Sequence, residues 1–256
     1  MISGSREKDM IDAANLLLDA RRTHKPIADL PPALQPTSLE EVARVHDEMA
    51  LAYEDIGGWK IGAGSPDAIP FFAPMPRAWM ASSGAILSGP TYRYRVLECE
   101  IAFRLGQDLP PRETPYTREE VVAAIASCHP IIEELESGLI DPKAANNFSA
   151  LADLQMHGGF IYGPAYADWQ TLDFKQETVT LSIDGVVQVE RTGSNTSGDL
   201  MRLLPYLANE GAPRTGGLKA GQWITTGSWT GNTPAPAGSS AEANFAHAGN
   251  VTLRFA

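Results

Sequence analysis

Helical periodicity dominates the first sixty residues. Apolar residues recur every three or four positions over 10–18, which predicts an N-terminal helix. A similar pattern over 39–53 predicts a second helix, with Ser38 as its N-cap and Glu41 at the capping-box position. The Leu-Pro-Pro sequence at 30–32 prevents one continuous helix across both runs.

From about residue 85 the pattern changes to short β-rich runs separated by Gly/Pro turns. Clean alternation over 96–105 predicts a strand, and the runs flanking Asp184-Gly185 predict a hairpin. The segment 118–127 is predicted to be helical. We therefore predict an α+β protein, in which residues 1–84 form a small, mainly helical section and residues 85–256 form a β-rich domain.

Composition and charge exclude several classes of function. The chain has 256 residues, 43% of them hydrophobic, and its formal net charge is −11. Such an acidic chain is not expected to bind nucleic acid or an anionic membrane. No apolar run approaches the length that spans a bilayer, and the charged first 25 residues do not resemble a signal peptide. With two cysteines and no disulfide framework, the chain is expected to be a cytoplasmic enzyme, the alternative being a binding protein.

The strand at 96–105 carries the first candidate chemistry. Side chains alternate between the faces of a strand, so Glu98 and Glu100 share a face and their backbone origins lie about 7 Å apart. Two like charges at this spacing are tolerated if they are solvated, protonated or bridged by a cation. The pattern permits a divalent-cation site, but the solvated face of an amphipathic strand explains it as well.

A third carboxylate lies in the segment 130–136. If this segment is a strand, Glu133 shares a face with two apolar neighbours and is partly buried, which calls for pairing or a metal ion. Glu134 and Glu136 would then lie on the opposite face as ordinary solvated acids. The end of a helix with a charged surface is the alternative interpretation.

Two further segments offer polar groups beside glycines. Lys60 lies in the sequence Gly58-Trp59-Lys60-Ile61-Gly62 and could pair with a substrate carboxylate, although a surface lysine fits equally. The loop 225–231 offers hydroxyl and backbone N–H groups that can bind a carboxylate, although a polar turn would have the same composition.

Taken in order, these pieces resemble the fumarylacetoacetate hydrolase superfamily, and within it the branch of 2-keto-4-pentenoate hydratases and 4-oxalocrotonate decarboxylases. The matching segments are Ser38–Glu41, Gly58–Gly62, Glu98–Ala102, Pro130–Ser137, Ala152-Asp153 with Gly158 and Gly163, and Leu218–Gly221 leading to Thr226–Ser228.

The resemblance implies a fold and a set of site residues. The fold would be a mixed β-roll with a small helical N-terminal section. Glu98, Glu100 and Glu133 would hold Mg²⁺ or Mn²⁺, and Lys60 would be catalytic. The resemblance further implies that Thr226, Ser228 and Asp153 bind the substrate.

The implied activity is that of a lyase on a small 2-oxo or 2-hydroxy-dienoic acid, a hydratase of aromatic-compound catabolism. Decarboxylation of a 2-oxo-diacid and hydrolysis of an acylpyruvate are the alternatives. Hydratases usually carry a proton-transfer acid between the positions of Gly62 and Gly84, but residues 71–80 offer none and Asp67 lies too early to match it. This leaves the exact reaction open and allows a catalytically silent partner subunit as an alternative of another class. The resemblance also implies a homo-oligomer, a dimer or larger.

Overall fold

The two N-terminal helices form as their sequences predict. The structure is a computed structural model that describes residues 4–256. Helix α1 spans Gly4–Thr23 and helix α2 spans Leu39–Tyr53. The side chain of Ser38 caps α2 by accepting a hydrogen bond from the backbone N–H of Glu41 at 3.2 Å. The remaining α-helices of the described chain are short: α3 Arg118–Ala123, α4 Asn147–Ala152, α5 Leu203–Tyr206 and α6 Ala212–Thr215.

Helices α1 and α2 pack on each other and on the main body. Their facing side chains include Met10, Leu17, Val45 and Met49, all fully buried. The same cluster contains Leu154 from the turn after α4, so the helical section shares its core with a loop of the β-rich part. Burial of this apolar stripe is what stabilises the pair against the rest of the chain.

Two β-sheets make up the rest of the fold. The strands are β1 Ile56–Gly62, β2 Phe71–Pro76, β3 Met80–Ser82, β4 Ala85–Leu87, β5 Val96–Leu105, β6 Ile125–Leu135, β7 His157–Tyr162, β8 Thr178–Ile183, β9 Val186–Thr192, β10 Trp223–Thr225, β11 Thr233–Pro234, β12 Ser240–Phe245 and β13 Gly249–Phe255. The larger sheet has the order β2-β1-β10-β5-β6-β7-β3, with β11 paired to β5. The smaller sheet has the order β4-β13-β12-β8-β9.

The long antiparallel pair β5–β6 occupies the middle of the larger sheet. The face of β5 that the sequence predicts to be apolar, from Leu97 through Leu105, is at most 1% exposed. Strands β12 and β13 of the smaller sheet contact β6. The main hydrophobic core includes residues of β5 and β6 together with residues of the smaller sheet, and it leaves the other face of β5 for the carboxylates.

The larger sheet also draws in residues before position 84. Strands β1, β2 and β3 belong to it, and β1 pairs in parallel with β10 near the end of the chain. The helical section itself ends at Tyr53. The larger sheet therefore takes strands from both sides of the change of sequence pattern near residue 85, whereas β4, directly after that change, pairs with β13 in the smaller sheet.

The predicted helix at 118–127 is only half correct. Helix α3 ends at Ala123, and β6 begins at Ile125 and pairs with β5. The carbonyl of Ala124 accepts a hydrogen bond from the backbone N–H of Gly106 at 2.7 Å. Pairing with a long neighbouring strand outweighs the local helical propensity of these residues.

The prediction that Glu134 and Glu136 are solvated is wrong, because both are buried. The Glu136 carboxylate accepts hydrogen bonds from the backbone N–H groups of Arg93, Tyr94 and Ser137. Glu134 has no partner for either oxygen among the described residues, and burial raises its pKa well above the ordinary value, so it is held in the neutral form.

The predicted α+β class is confirmed. Among residues 4–256, no helix has the length and apolar character needed to cross a bilayer.

Candidate active site

Register between β5 and β6 brings three carboxylates together. Glu98 lies directly opposite Glu133 across the strand pair, and Glu100 lies two residues further along β5 on the same face. One oxygen from each carboxylate lies within 4.8 Å of the others. Strand pairing thus adds Glu133 to two carboxylates that lie 33 and 35 positions before it in the sequence, which gives one potential ligand set.

These carboxylates are largely removed from water. Glu100 and Glu133 are 1% and 0% exposed. Burial, opposed by Lys60 and reinforced by Glu133, raises the pKa of Glu98 to about 7. Burial and the charges of Glu133 and Glu98 raise the pKa of Glu100 well above its ordinary value. The cluster is therefore electrostatically unfavourable without a cation.

Lys60 supplies one positive charge. It lies on β1, and its Nζ donates to Glu133 Oε1 at 2.7 Å and to the backbone carbonyl of Gln155 at 3.0 Å. Burial opposes its protonation, but the three carboxylates outweigh burial and raise the pKa of Lys60. The side chain is held as an ammonium ion, which makes it a hydrogen-bond donor and not a general base.

His157 is a second donor to the same carboxylate oxygen. Its Nδ1 donates to Glu133 Oε1 at 2.8 Å, and its fully buried ring lies 5.8 Å from the ring of Trp79. Burial lowers the pKa of His157, so its ring is neutral and carries its proton on Nδ1. The His157 and Lys60 interactions overcome the effect of burial and lower the pKa of Glu133 to about 2.

The geometry around Glu133 and the donor set fit a divalent cation. Oε1 takes both donors, whereas the buried Oε2 has no partner among the described residues. An orphaned anionic oxygen is costly in a protein interior. With Glu98 and Glu100 it forms an all-oxygen set of the kind that hard divalent cations prefer.

Strand β10 orients Glu100. It lies between β1 and β5, where Thr225 pairs with Lys60 on one side and with Ala102 on the other. The Thr225 hydroxyl and the Gly227 N–H, the latter at 2.8 Å, both donate to Glu100 Oε2. Two donors on one oxygen fix the direction in which this carboxylate points.

Of the three predicted substrate-binding residues, the structure places one at the cavity and two away from it. Ser228 lines the cavity next to the carboxylates, and its hydroxyl donates to the carbonyl of Gly231 at 3.3 Å. Thr226 is fully buried and its hydroxyl donates to the carbonyl of Ile101 at 2.7 Å, so it does not face the cavity. The neighbouring Thr225 is the threonine whose hydroxyl reaches the carboxylates.

Asp153 also lies away from the cavity. It is fully buried, and its carboxylate accepts hydrogen bonds from Arg21 Nε, Ser137 Oγ and Gly138 N at 2.5, 2.6 and 2.7 Å. These contacts attach α1 to the end of β6. The structure therefore gives Asp153 a structural task in place of the predicted substrate contact.

Sequence reasoning missed three groups that the structure places at the site, namely the Thr225 hydroxyl, the His157 ring and the Gln155 carbonyl. Leu154, Gln155 and Met156 all have positive φ angles, of 52°, 52° and 61°. Non-glycine residues adopt this conformation at a cost, and here it directs a carbonyl at Lys60. No pattern in the sequence predicts such a turn, whereas the pair Thr225-Thr226 already marked the loop.

A cavity of about 480 Å³ opens beside these groups. Lys60, Glu98 and Glu100 lie in its wall, together with Gln155 and Ser228. Its size suits a small organic molecule. The three carboxylates can hold a cation. The ammonium group of Lys60 can donate a hydrogen bond to an organic molecule bound beside that cation.

Known proteins share both sequence and fold with this chain. The sequence is 30% identical over 162 residues to 2-hydroxyhexa-2,4-dienoate hydratase of Comamonas testosteroni, covering 62% of this chain and 59% of that protein. It is 27% identical over 173 residues to 2-oxo-hept-4-ene-1,7-dioate hydratase of Escherichia coli, covering 65% of this chain and 64% of that protein. The matched region thus spans less than two thirds of either relative. No family model matches the chain.

The fold is similar over the whole chain to a solved structure. This is 4-oxalocrotonate decarboxylase from Pseudomonas putida G7, complexed with magnesium and adipate, with a TM-score of 0.86, 21% identity and complete coverage of both chains. The chain therefore has the fold of the fumarylacetoacetate hydrolase superfamily. The predicted resemblance to the hydratase and decarboxylase branch of that superfamily is confirmed.

Proposed function

We propose that the protein is a divalent-metal-dependent lyase that hydrates a 2-hydroxy-dienoic acid. The observation that carries the proposal is the cluster of half-buried Glu98 with buried Glu100 and Glu133, with Lys60 beside it in an accessible cavity. Two curated relatives named as hydratases of 2-hydroxy- or 2-oxo-enoic acids support this choice of reaction.

Glu98, Glu100 and Glu133 would hold Mg²⁺ or Mn²⁺. When bound, the ion would supply Lewis-acid stabilisation of negative charge that develops on the 2-oxygen of the substrate. The orphaned Oε2 of Glu133 and the all-oxygen donor set support this assignment. The magnesium in the similar decarboxylase structure favours the same class of ion.

Lys60 would orient the substrate and stabilise its anionic form. An ammonium group has three N–H donors, and two of those on Lys60 are occupied by Glu133 Oε1 and the Gln155 carbonyl. One N–H is left for an oxygen of the substrate. Because the ammonium is fixed before the substrate arrives, its stabilising effect requires no reorganisation during the reaction.

Ser228 and the cavity walls would complete the binding site. The Ser228 hydroxyl lies next to Glu98 and can bind a carboxylate or hydroxyl oxygen of the acid. Phe71 and Trp229 line the same cavity and would exclude bulk water from one side of the ligand.

The proposal is tested by turnover. Purified protein with Mg²⁺ or Mn²⁺ is expected to consume 2-hydroxypenta-2,4-dienoate, followed as loss of dienol absorbance, and a chelator is expected to stop the reaction. Glu133→Gln is the matched loss-of-site variant. Protein that binds the ion but turns over no dienoate of any chain length would contradict the proposal and favour a silent partner subunit.

Decarboxylation of a 2-oxo-diacid is the second candidate. Apart from Lys60 and the proposed metal ligands, the described cavity lining contains no titratable acid or base that could activate water. Loss of CO₂ requires no water, so this lining suits it. Release of CO₂ from a 2-oxo-3-enoic diacid, without consumption of the dienoate, would identify this reaction instead.

A cytoplasmic location and a homo-oligomer, a dimer or larger, stay predictions from the sequence. Light scattering after size-exclusion chromatography measures the second of them.

A further inference from the structure

Apart from Lys60 and the carboxylates, the residues that line the cavity are neutral. They include the apolar Ala63, Ile69 and Phe71 and the polar Ser194, Thr196 and Asn232. Among the described residues that line this cavity, Lys60 is the single cation.

The positive charge of Lys60 is not available to a second anionic group of the ligand. Its ammonium lies against Glu133 and the Gln155 carbonyl at the inner end of the cavity. The metal ion and the remaining N–H of Lys60 would both be taken by the carboxylate and the 2-oxygen at the reacting end of the ligand. A carboxylate at the far end of a ligand would therefore enter without a counter-ion, and desolvation of an unpaired charge is unfavourable.

The exposure of Ile69 at the cavity wall favours a ligand with an apolar tail. The side chain of Ile69 is 75% exposed although it lies at the cavity wall, and the half-buried Phe71 follows it in the chain. An apolar ligand tail lying against Ile69 would cover surface that otherwise contacts water.

Arg202 is a cation outside the cavity lining that contacts the loop that carries Ile69, so its contacts decide whether it could pair with a second carboxylate of the ligand. Its guanidinium donates to the carbonyls of Ser65, Ala68 and Ser197 at 2.9, 3.0 and 3.3 Å. Nη2 thus holds the backbone of the loop that carries Ile69, Nε holds the Ser197 carbonyl, and Arg202 is not among the residues that line the cavity.

We propose that the site selects monocarboxylic 2-oxo or 2-hydroxy-dienoic acids with an apolar tail and discriminates against dicarboxylic acids of the same length. This inference rests on the proposed function, because it takes the metal and Lys60 as the binding site for the first carboxylate. It also disfavours the alternative decarboxylation, whose substrate is a diacid.

A matched pair of unreactive ligands tests the selectivity. 2-Oxohexanoate and 2-oxoadipate have the same carbon chain and differ in ending with a methyl group or a carboxylate. Titration calorimetry of the full chain with saturating Mg²⁺ is expected to show that 2-oxohexanoate binds at least about tenfold more tightly. Equal or tighter binding of 2-oxoadipate would overturn the inference while leaving the proposed metal site intact.

A positive charge introduced at position 69 provides a second test of the selectivity. Ile69→Lys is expected to strengthen 2-oxoadipate binding by about tenfold, since the exposed position tolerates a lysine. Ile69→Gln is the control of similar size without charge, and it is expected to give no such gain. A gain with both variants, or with neither, would contradict the assignment of Ile69 to the tail end.

Absence of Mg²⁺-dependent binding by both acids would overturn the proposed function and this inference together. The two failures are therefore distinguishable.

Discussion

Within the site, the two oxygens of Glu133 have different surroundings. Oε1 accepts from Lys60 and His157, and Oε2 has no partner among the described residues. Two donors on one oxygen prevent rotation of the carboxylate. The residue therefore presents one fixed, charged oxygen to a ligand.

Replacing Lys60 separates substrate chemistry from metal binding. We expect Lys60→Met to lower kcat/KM by about 100-fold or more, because a preorganised ammonium donor is lost. Mg²⁺ binding, measured by calorimetry, is expected to persist, because all three carboxylates remain. Lys8→Met serves as the control, since Lys8 is exposed and pairs with Asp12. Loss of Mg²⁺ binding together with turnover would show that Lys60 acts through the fold of the site.

Replacing His157 tests how Glu133 is positioned. His157→Leu removes the Nδ1 donor and is expected to weaken Mg²⁺ binding by about tenfold. His157→Asn offers an amide N–H near the same place and is expected to recover part of the affinity. An unchanged Mg²⁺ dissociation constant in a folded His157→Leu variant would mean that Lys60 alone orients the carboxylate.

At the scale of elements, the contact between α1 and α2 includes one partly buried ion pair. Arg6 of α1 donates from Nε and Nη2 to the two carboxylate oxygens of Glu41 in α2, both at 2.8 Å. The backbone N–H of Thr37 donates to the same carboxylate at 2.7 Å. This two-pronged geometry fixes the angle at which α2 begins.

The same pair predicts an acid-sensitive step in stability. The hydrogen bond from Arg6 outweighs burial and lowers the pKa of Glu41 from 4.5 to about 2. A carboxyl group whose pKa is lower in the folded state stabilises the fold above its ordinary pKa, and this stabilisation is lost as the pH falls from 4.5 towards 2. Glu41→Gln is therefore expected to lose about 2 kcal/mol of unfolding free energy at neutral pH.

Urea unfolding at several pH values measures this contribution. The Glu41→Gln variant is expected to show a shallower loss of stability between pH 4.5 and 2 than the parent protein. Glu113→Gln, at an exposed position, is the control and should follow the parent. Parallel curves for the parent and Glu41→Gln would contradict a special contribution from this pair.

At the scale of the whole molecule, the proposed site makes stability depend on the ion. Two buried carboxylates and one half-buried carboxylate against one lysine destabilise the ion-free fold, and a ligand that binds only the folded state stabilises it by mass action. Mg²⁺ at 100 times its dissociation constant would add about 2.7 kcal/mol. For a chain of 256 residues this corresponds to a rise in Tm of roughly 5–10 °C.

Differential scanning calorimetry with Mg²⁺, and then with a chelator, checks this expectation. Glu133→Gln should unfold with little dependence on Mg²⁺, because its ligand oxygen is no longer charged. A Tm rise of equal size in that variant would place the stabilising ion elsewhere in the protein.

Local patterns in the sequence determined much of the fold and half of the site. The two-residue period of a strand places Glu98 and Glu100 on one face wherever β5 lies, and the N-cap Ser38 marks the start of α2 from its own neighbours. The hairpin of β8 and β9 follows from Asp184-Gly185. These features are set by residues a few positions apart, whose geometry the backbone itself fixes.

The tertiary structure decided which distant groups meet. The register of β5 and β6 sets Glu98 opposite Glu133, and insertion of β10 between β1 and β5 brings the Thr225 hydroxyl to Glu100 while Thr226 turns to Ile101. It also brought His157 to Glu133 and buried Glu134, which a solvated-strand pattern could not predict. Alternation fixes which side chains share a face, but the partner across the sheet and the cover over that face depend on long-range packing of the whole chain.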